Sequence, residues 1–388
     1  MFSMKFKKPG GVRDFLPENT RIKRDVENKI YKIFSNWGYQ EVLTPSFEYL
    51  ETFLMGNSFE FGERIFKFFD RRGRVLALRP DMTTPIARLV SNYYENVEYP
   101  LRLCYFSNVF RFEDHRGGRQ NEMFQAGAEL IGWNEIDADA EIIALAIKSL
   151  QEAGIKKFKV NIGHTGFWEG MLKSERTSEK EKDALKSSLL NKDFVTLKEI
   201  IKNLSINKHN KALLLDITKL HGGIDVLNEA EKVSENEISK KAIRELKRLA
   251  EILTYYGVEE YITFDLGLMR DLDYYTGMIF EGYTPGLGHP VCGGGRYDNL
   301  IEKFNGVKPA TGFMINIDGV LKVLERIQCE NEAPKDILIV YNKNSVDEGV
   351  KKALDYRNMG YTTDIISEKQ MGKLSDEIKN IYKKIIRV

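Results

Sequence analysis

Arg111–Phe112–Glu113, Gln125–Ala126–Gly127–Ala128–Glu129, Arg270–Asp271–Leu272–Asp273–Tyr274–Tyr275 and Gly293–Gly294–Gly295–Arg296–Tyr297–Asp298 decide how this 388-residue chain is read. Residues at even spacing on a strand share a face. Arg111 then points with Glu113, and Gln125 with Glu129. Burying a lone carboxylate beside a glutamine is costly unless something pairs with it. Glu129 is therefore either an ion-pair member or a receptor for a cationic or N–H-bearing group. Arg111 and Glu113 suit a phosphate and an amine, or pair with each other. In Leu78–Arg79–Pro80–Asp81–Met82–Thr83–Thr84–Pro85, Asp81 and Thr83 stand at a helix start, where they either cap the helix or bind an α-ammonium group. Tyr274 and Tyr275, as strand neighbours, would face opposite ways, one to the core and one to a pocket. Three glycines after a strand let another molecule approach the backbone closely or make a tight turn. Their spacing fits neither a Walker nor a Rossmann loop.

Around these segments the patterns predict alternating helices and strands. Ile22, Val26, Ile30, Ile33 and Phe34 recur at helical spacing across 19–37, and Gly38 stands where the helix stops. Gln40–Thr44 reads as a strand. Strands at 64–69 and 74–78 flank the hairpin turn Asp70–Gly73. A helix is expected at 83–94, long strands at 101–112 and 122–131, a helix at 138–153 and a strand at 158–162. From about 165 to 258 strand patterns vanish and Lys, Glu, Ser and Leu dominate, as in an inserted helical subdomain. Strands return at 262–266, 277–283 and 290–292, and 312–317 leads into a helix to about 327. The expected domains are 1–328, a polar linker at 329–335 and a short α/β segment at 336–388.

Bulk properties exclude several classes. Hydrophobic residues make up 42% and charged residues 30%, as in a globular chain with a full core. With 58 basic and 57 acidic residues the net charge is +1, so no global attraction to nucleic acid or membrane follows. Cys104, Cys292 and Cys329 are odd in number and far apart, which is no disulfide framework. No Cys/His spacing suggests zinc. No window approaches the ~20 apolar residues of a membrane span, and the cytoplasm is the simplest compartment.

In order and spacing these runs resemble histidyl-tRNA synthetase from about residue 8 to 325. Gly11–Val12–Arg13–Asp14–Phe15–Leu16–Pro17 is similar to that family's N-terminal motif. Gly38–Pro45 resembles class II motif 1, which makes the dimer interface. Arg111–Glu113 through Gln125 resembles motif 2, and Arg270–Tyr275 the histidine-specific segment. The resemblance implies an α+β fold: a class II synthetase-like antiparallel sheet flanked by helices. It implies a histidine pocket in which Asp81, Thr83 and Gln125 hold the α-ammonium. Glu129 and Tyr274 contact the imidazole, an N–H donor and an acceptor that a carboxylate and a phenol can read. Arg111 and Arg270 face the carboxylate, and Tyr275 closes the pocket. Glu113, Arg119 and Arg296 are possible remnants of a nucleotide site.

The departures point away from catalysis. Gly319 stands where motif 3 carries an ATP-clamping arginine, a loss that costs orders of magnitude in rate. Asn121 replaces a basic residue, Met123 an aromatic that stacks on adenine, and Asp271 a glycine. The segment 336–388 is too short for a full anticodon-binding domain. LRPDMTTPIAR (78–88), QAGAELIG (125–132) and YYTGMIF (274–280) look closer to the regulatory-subunit group of ATP phosphoribosyltransferase, a synthetase paralogue. That resemblance implies a non-catalytic protein of histidine biosynthesis with no catalytic residues, cofactor or metal. Its expected partners are a short-form catalytic subunit and L-histidine as effector, with a homodimer inside a hetero-oligomer, and no tRNA. A divergent histidyl-tRNA synthetase or histidine-adenylating enzyme is the alternative.

Overall fold

The computed structural model describes residues 7–55, 62–94, 100–112, 120–173, 177–190, 193–204, 206, 208–217, 220–270, 272, 274–304, 308–327, 335–373 and 381–388. The chain divides into two compact units, Met1–Ile327 and Gln328–Val388. The first has a nine-stranded sheet ordered β1-β5-β6-β12-β11-β10-β7-β9-β8. Its strands are β1 (Gln40–Glu41), β5 (Leu101–Phe110), β6 (Glu122–Ile131), β7 (Lys159–His164), β8 (His221–Gly222), β9 (Ile262–Asp265), β10 (Met278–Tyr283), β11 (Cys292–Arg296) and β12 (Ala310–Asn316). The centre, β5 through β7, is antiparallel, while β1 pairs with β5 and β9 with β7 in parallel. A separate sheet joins β2 (Phe47–Tyr49), β4 (Val75–Leu78) and β3 (Lys67–Phe69).

Side-chain alternation gives the large sheet two different faces. On β5, Cys104 faces one hydrophobic cluster, while Leu103, Tyr105 and Val109 face another. On β6, Ala126, Ala128 and Leu130 join the first cluster. That face is covered by helix Ile136–Glu152, whose residues are buried almost all round, the mark of a core helix. Helices Pro17–Asn36 and Glu237–Tyr255 pack against it. The odd-numbered residues of β6, Gln125 and Glu129 among them, turn to the other face. There helix Thr83–Tyr93 is tied to β2 by a two-pronged ion pair, Arg88 to Glu48 at 2.6 and 2.9 Å.

The sequence patterns located most elements within a few residues. The first helix ends at Asn36, and Gly38 follows at φ 83°, a backbone that favours glycine. Three differences bear on the site. The strand expected at 290–292 begins at Cys292 and runs through the three glycines, so they lie inside the sheet and not after it. Tyr274 and Tyr275 precede β10 and are not strand residues. Among its described residues, the stretch 165–258 carries helices and the short β8, which pairs with β9, and helix Glu237–Tyr255 belongs to the main core. The motif 1 strand is shorter than expected, ending at Glu41.

The second unit is a parallel three-stranded sheet, β14 (Thr363–Ser367), β13 (Lys335–Tyr341) and β15 (Tyr382–Arg387). Helix Val346–Asn358 packs on it through Gly349 and Ala353. The expected linker 329–335 lies outside the described residues except for Lys335, which already belongs to β13. Among the described residues, no helix is long and apolar enough to cross a membrane, and no group of His, Cys, Asp and Glu could hold a metal ion.

Gly294 is the steric test of this sheet. A Cβ there would overlap the Gly312 carbonyl oxygen and press on Phe313. Gly294→Ala is expected to destabilise the protein by about 2–4 kcal/mol. Gly288→Ala, where an added Cβ meets nothing within 4 Å, should stay within about 0.5 kcal/mol. Urea denaturation of both variants checks this.

Candidate functional site

A narrow cleft lies on the second face of the large sheet, and its floor is made of glycine. A Cβ on Gly127 would collide with the Tyr105 hydroxyl and ring, and on Gly293 with the Arg270 guanidinium. On Gly295 it would press on the Tyr275 ring, and on Gly312 it would overlap the Glu129 carboxylate. Removing side chains from three adjacent strands lets Tyr105, Glu129, Arg270 and Tyr275 lie flat across the sheet. The close approach that glycines permit is thus made by the chain's own polar groups.

Glu129 is the chemically unusual member. It is 1% exposed. Thr83 Oγ1 donates to one carboxylate oxygen at 2.9 Å, and the Tyr297 hydroxyl to the other at 2.5 Å. Both donors are neutral, and among the described residues no cation pairs with it. Burial pushes its pKa up to about 8, against the two hydrogen bonds that lower it, and the nearby Asp81 raises it further. Asp81 is also buried, and burial raises its pKa against the opposing pull of the Thr84 N–H and Arg111. It accepts from the Thr84 N–H at 2.8 Å and the Thr84 hydroxyl at 3.2 Å. Asp81 therefore fixes the first helical turn while also lining the cleft.

The remaining expected residues converge on the same place. Thr83, Arg111, Gln125, Arg270, Tyr274 and Tyr275 all line the cleft with Asp81. Gln125 is 5% exposed, and its amide has no hydrogen-bond partner among the described residues. Arg111 Nε donates to the Pro80 carbonyl at 2.7 Å, which ties the motif 2 strand end to the Asp81 turn. Arg270 pairs with Glu281 at 2.8 Å, and its guanidinium lies 5.6 Å from the Tyr275 ring centre. Tyr274 and Tyr275 do not face opposite ways: their rings are 4.9 Å apart and both border the cleft. Glu113 and Arg119 lie outside the described residues.

Arg296 lies elsewhere. It ends β11 on the face away from the cleft, bonded to Asp139 Oδ2 at 3.0 Å, Asp298 Oδ1 at 3.1 Å and the Glu135 carbonyl at 3.1 Å. It borders a separate polar cavity with His164 and Glu245. Tyr105 and, behind Arg270, Glu281 were not singled out from sequence, and Tyr297 only as part of the run Gly293–Asp298. Strand alternation separates Tyr297 from Arg296, and this was the available signal for it. Nothing local marks Tyr105, whose role depends on Gly127 lying beneath it.

The positions where the sequence departs from a synthetase are filled from within the chain. Asp318, beside Gly319, is held by Arg13 and accepts from the Phe124 N–H at 2.7 Å. Asn121 Nδ2 donates to the Gly10 carbonyl at 3.2 Å, and its backbone N–H to Gly11 at 2.7 Å. Phe15 packs edge-on against Phe124, with centroids 5.3 Å apart. Gly319 lies under Leu287, whose Cδ2 is 3.0 Å from where its Cβ would stand. Met123 packs into the apolar cluster on the cleft side.

A histidyl-tRNA synthetase family model matches residues 11–320. The ATP phosphoribosyltransferase regulatory subunit of Desulforamulus reducens is 42% identical over 351 residues, covering 90% of this chain and 87% of that protein. The one from Acetivibrio thermocellus is 40% identical over 354 residues, covering 91% and 84%. The chain belongs to this family. A solved structure from Bacillus halodurans, described as an ATP phosphoribosyltransferase regulatory subunit/histidyl-tRNA synthetase, matches with a TM-score of 0.89 at 36% identity, covering 99% of this chain and 98% of that one. Histidyl-tRNA synthetase from Nostoc shares the class II fold, with a TM-score of 0.77 at 22% identity, covering 94% of this chain and 86% of that one.

The buried carboxyl makes stability depend on pH. Its pKa is about 8 in the folded chain against an ordinary value of 4.5. The folded state holds this proton more tightly than the unfolded one, so stability is full below about 4.5 and falls as pH rises toward 8. Glu129→Gln keeps the shape without the titration. Unfolding free energies of the wild type should decline relative to the variant across this window and then run parallel above it.

Proposed function

We propose that this chain is the non-catalytic regulatory subunit of an ATP phosphoribosyltransferase acting in the first step of L-histidine biosynthesis. In this reading it binds and activates a short catalytic subunit and transmits feedback inhibition when L-histidine occupies the cleft. The observation that carries it is Glu129: a buried carboxyl held by two hydroxyls, with no cation and beside an amide with no partner among the described residues. Such a site suits a ligand that brings N–H groups. Glu129 and Tyr274 would read the imidazole; Asp81, Thr83 and Gln125 would hold the ammonium; Arg111 and Arg270 would face the carboxylate, with Tyr275 closing the pocket. The names of the relatives support the regulatory role.

The non-catalytic part of the proposal is supported by Asp318 and Asn121, which are engaged by residues 10–13, and by Leu287 over Gly319. Adenylation needs those places for ATP. The retained Arg111 and Arg270 favour a second reading, a histidine-adenylating enzyme. Homodimerisation is supported by exposed apolar side chains: Leu43 in the motif 1 segment is 76% exposed, and Phe69 on β3 72%. Phe47 and Phe68 pack edge-on between them in sequence, 5.6 Å apart. The proposed setting is the cytoplasm, without tRNA and without a metal.

Two measurements test this. Histidine should bind the purified chain by calorimetry without supporting ATP–pyrophosphate exchange. Glu129→Ala should raise the histidine concentration for half-inhibition of the reconstituted complex about 10–100-fold, the loss of a buried hydrogen bond to the ligand with its partner left unsatisfied. Measurable exchange would favour the adenylating enzyme, and unchanged inhibition in the variant would refute the pocket assignment. For the dimer, Phe69→Glu should shift the mass measured by light scattering toward the monomer.

A further inference from the structure

A cavity of about 440 Å³ adjoins the Glu129 cleft, within the usual size range of small-molecule sites. One wall is helix Thr165–Lys173, which presents Thr165, Trp168, Glu169 and Leu172 at i, i+3, i+4 and i+7, one face of the helix. A second wall is Lys182 and Lys186, four apart on helix Glu179–Leu190. The third includes Met269 and Ile279 with Arg270, Leu272 and Tyr275, and these last three also border the Glu129 cleft. The Trp168 indole N–H is donated to the Leu266 carbonyl at 2.9 Å, so the ring is held in place. Thr165 Oγ1 is buried and has no hydrogen-bond partner among the described residues.

We propose that this cavity is a second ligand site, for an aromatic organic phosphate of the size of a nucleoside monophosphate. Met269 and the Tyr275 ring, with the edges of the buried Trp168 and Leu172, offer a ring apolar contact area. Lys182, Lys186 and Arg270 supply positive charge for a phosphate, with the Thr165 hydroxyl as a further donor. Glu169 and Asp183 also border the cavity, and they suit a ligand that carries hydroxyl or amino donors beside its phosphate. A bare aryl phosphate would leave these acids opposed. Arg270 and Tyr275 form a wall common to both sites, with Arg270 held by Glu281. A ligand that moves this wall changes the affinity of the neighbouring site, and the effect is reciprocal.

The test is calorimetry on the full chain with AMP as probe, beside inorganic phosphate and adenosine alone. AMP is expected to bind and to quench Trp168 fluorescence. Lys186→Glu, on a half-exposed position, and Trp168→Leu should each weaken binding at least about tenfold, while both variants keep the wild-type circular dichroism. Phosphate and adenosine alone should bind much more weakly. Absence of AMP binding at millimolar concentration, equal binding of free phosphate, or insensitivity to both variants overturns the site. Saturating histidine should change the AMP affinity by about threefold or more, and AMP the histidine affinity by the same factor. This coupling rests on the proposed histidine reading. AMP binding without any histidine binding would overturn that reading and leave this site standing, whereas two independent ligands would overturn the shared wall.

Discussion

The site depends on keeping one carboxyl, Glu129, away from water and away from cations. A buried carboxylate is tolerated only when hydrogen bonds replace its hydration or a proton neutralises it. Thr83 and Tyr297 supply the first, and the raised pKa reflects the second. The rest of the cleft follows from making room for this group. Gly312 must lack a side chain because Glu129 lies across it, and Gly293 because Arg270 does. Tyr297 has to leave the face used by Arg296, as strand alternation requires. Charge is thus sorted by sheet face: Arg296 with Asp139 and Asp298 on one side, and Arg270 with Glu281 beside the cleft on the other.

The contrast between the cleft and the region around Asp318 and Asn121 has a physical basis. On the first side, polar groups remain poised with hydrogen-bonding capacity to spare: Gln125 faces the cleft with no partner among the described residues, and Glu129 has only hydroxyl donors. On the second side the polar positions are consumed internally. Arg13 neutralises Asp318, and the backbone at Gly10 and Gly11 takes up Asn121. A ligand entering there has to break contacts that already satisfy buried groups, whereas one entering the cleft can complete them. Under the proposed function, such an arrangement suits binding without turnover.

Much of this was legible in the residues. Gln125 and Glu129 at even spacing in a strand implied a shared polar face; Gln125 lines the cleft, and Glu129 is buried behind it, bonded to the lining residues Thr83 and Tyr297. Asp81 and Thr83 at a helix start carried two meanings, cap and ligand; Asp81 holds the Thr84 N–H and also lines the cleft. The glycine run was legible as a place of close approach but not as the interior of a strand. A strand interior without side chains has no apolar alternation, and alternation is the signal by which strands are read. The paired tyrosines were misread for a related reason: opposite faces follow only if the segment is extended, and the chain turns before β10.

By itself the sequence determined the order of elements, the class of fold and the chemical character of the cleft residues. These follow from local periodicity and from the motifs' order along the chain. Only the tertiary structure decided which polar groups meet. Glu129 and Tyr297 are 168 residues apart, and Arg13 and Asp318 are 305 apart. Such pairs are joined by strand register across β6, β12 and β11 and by the path of the N-terminal segment. The same holds for the wall of Arg270 and Tyr275, which serves two cavities because helix Thr165–Lys173 folds back beside it. Burial and the nearby Asp81 turn an ordinary glutamate into one with a pKa of about 8. Both are properties of assembled surroundings, which a linear pattern of residues does not specify.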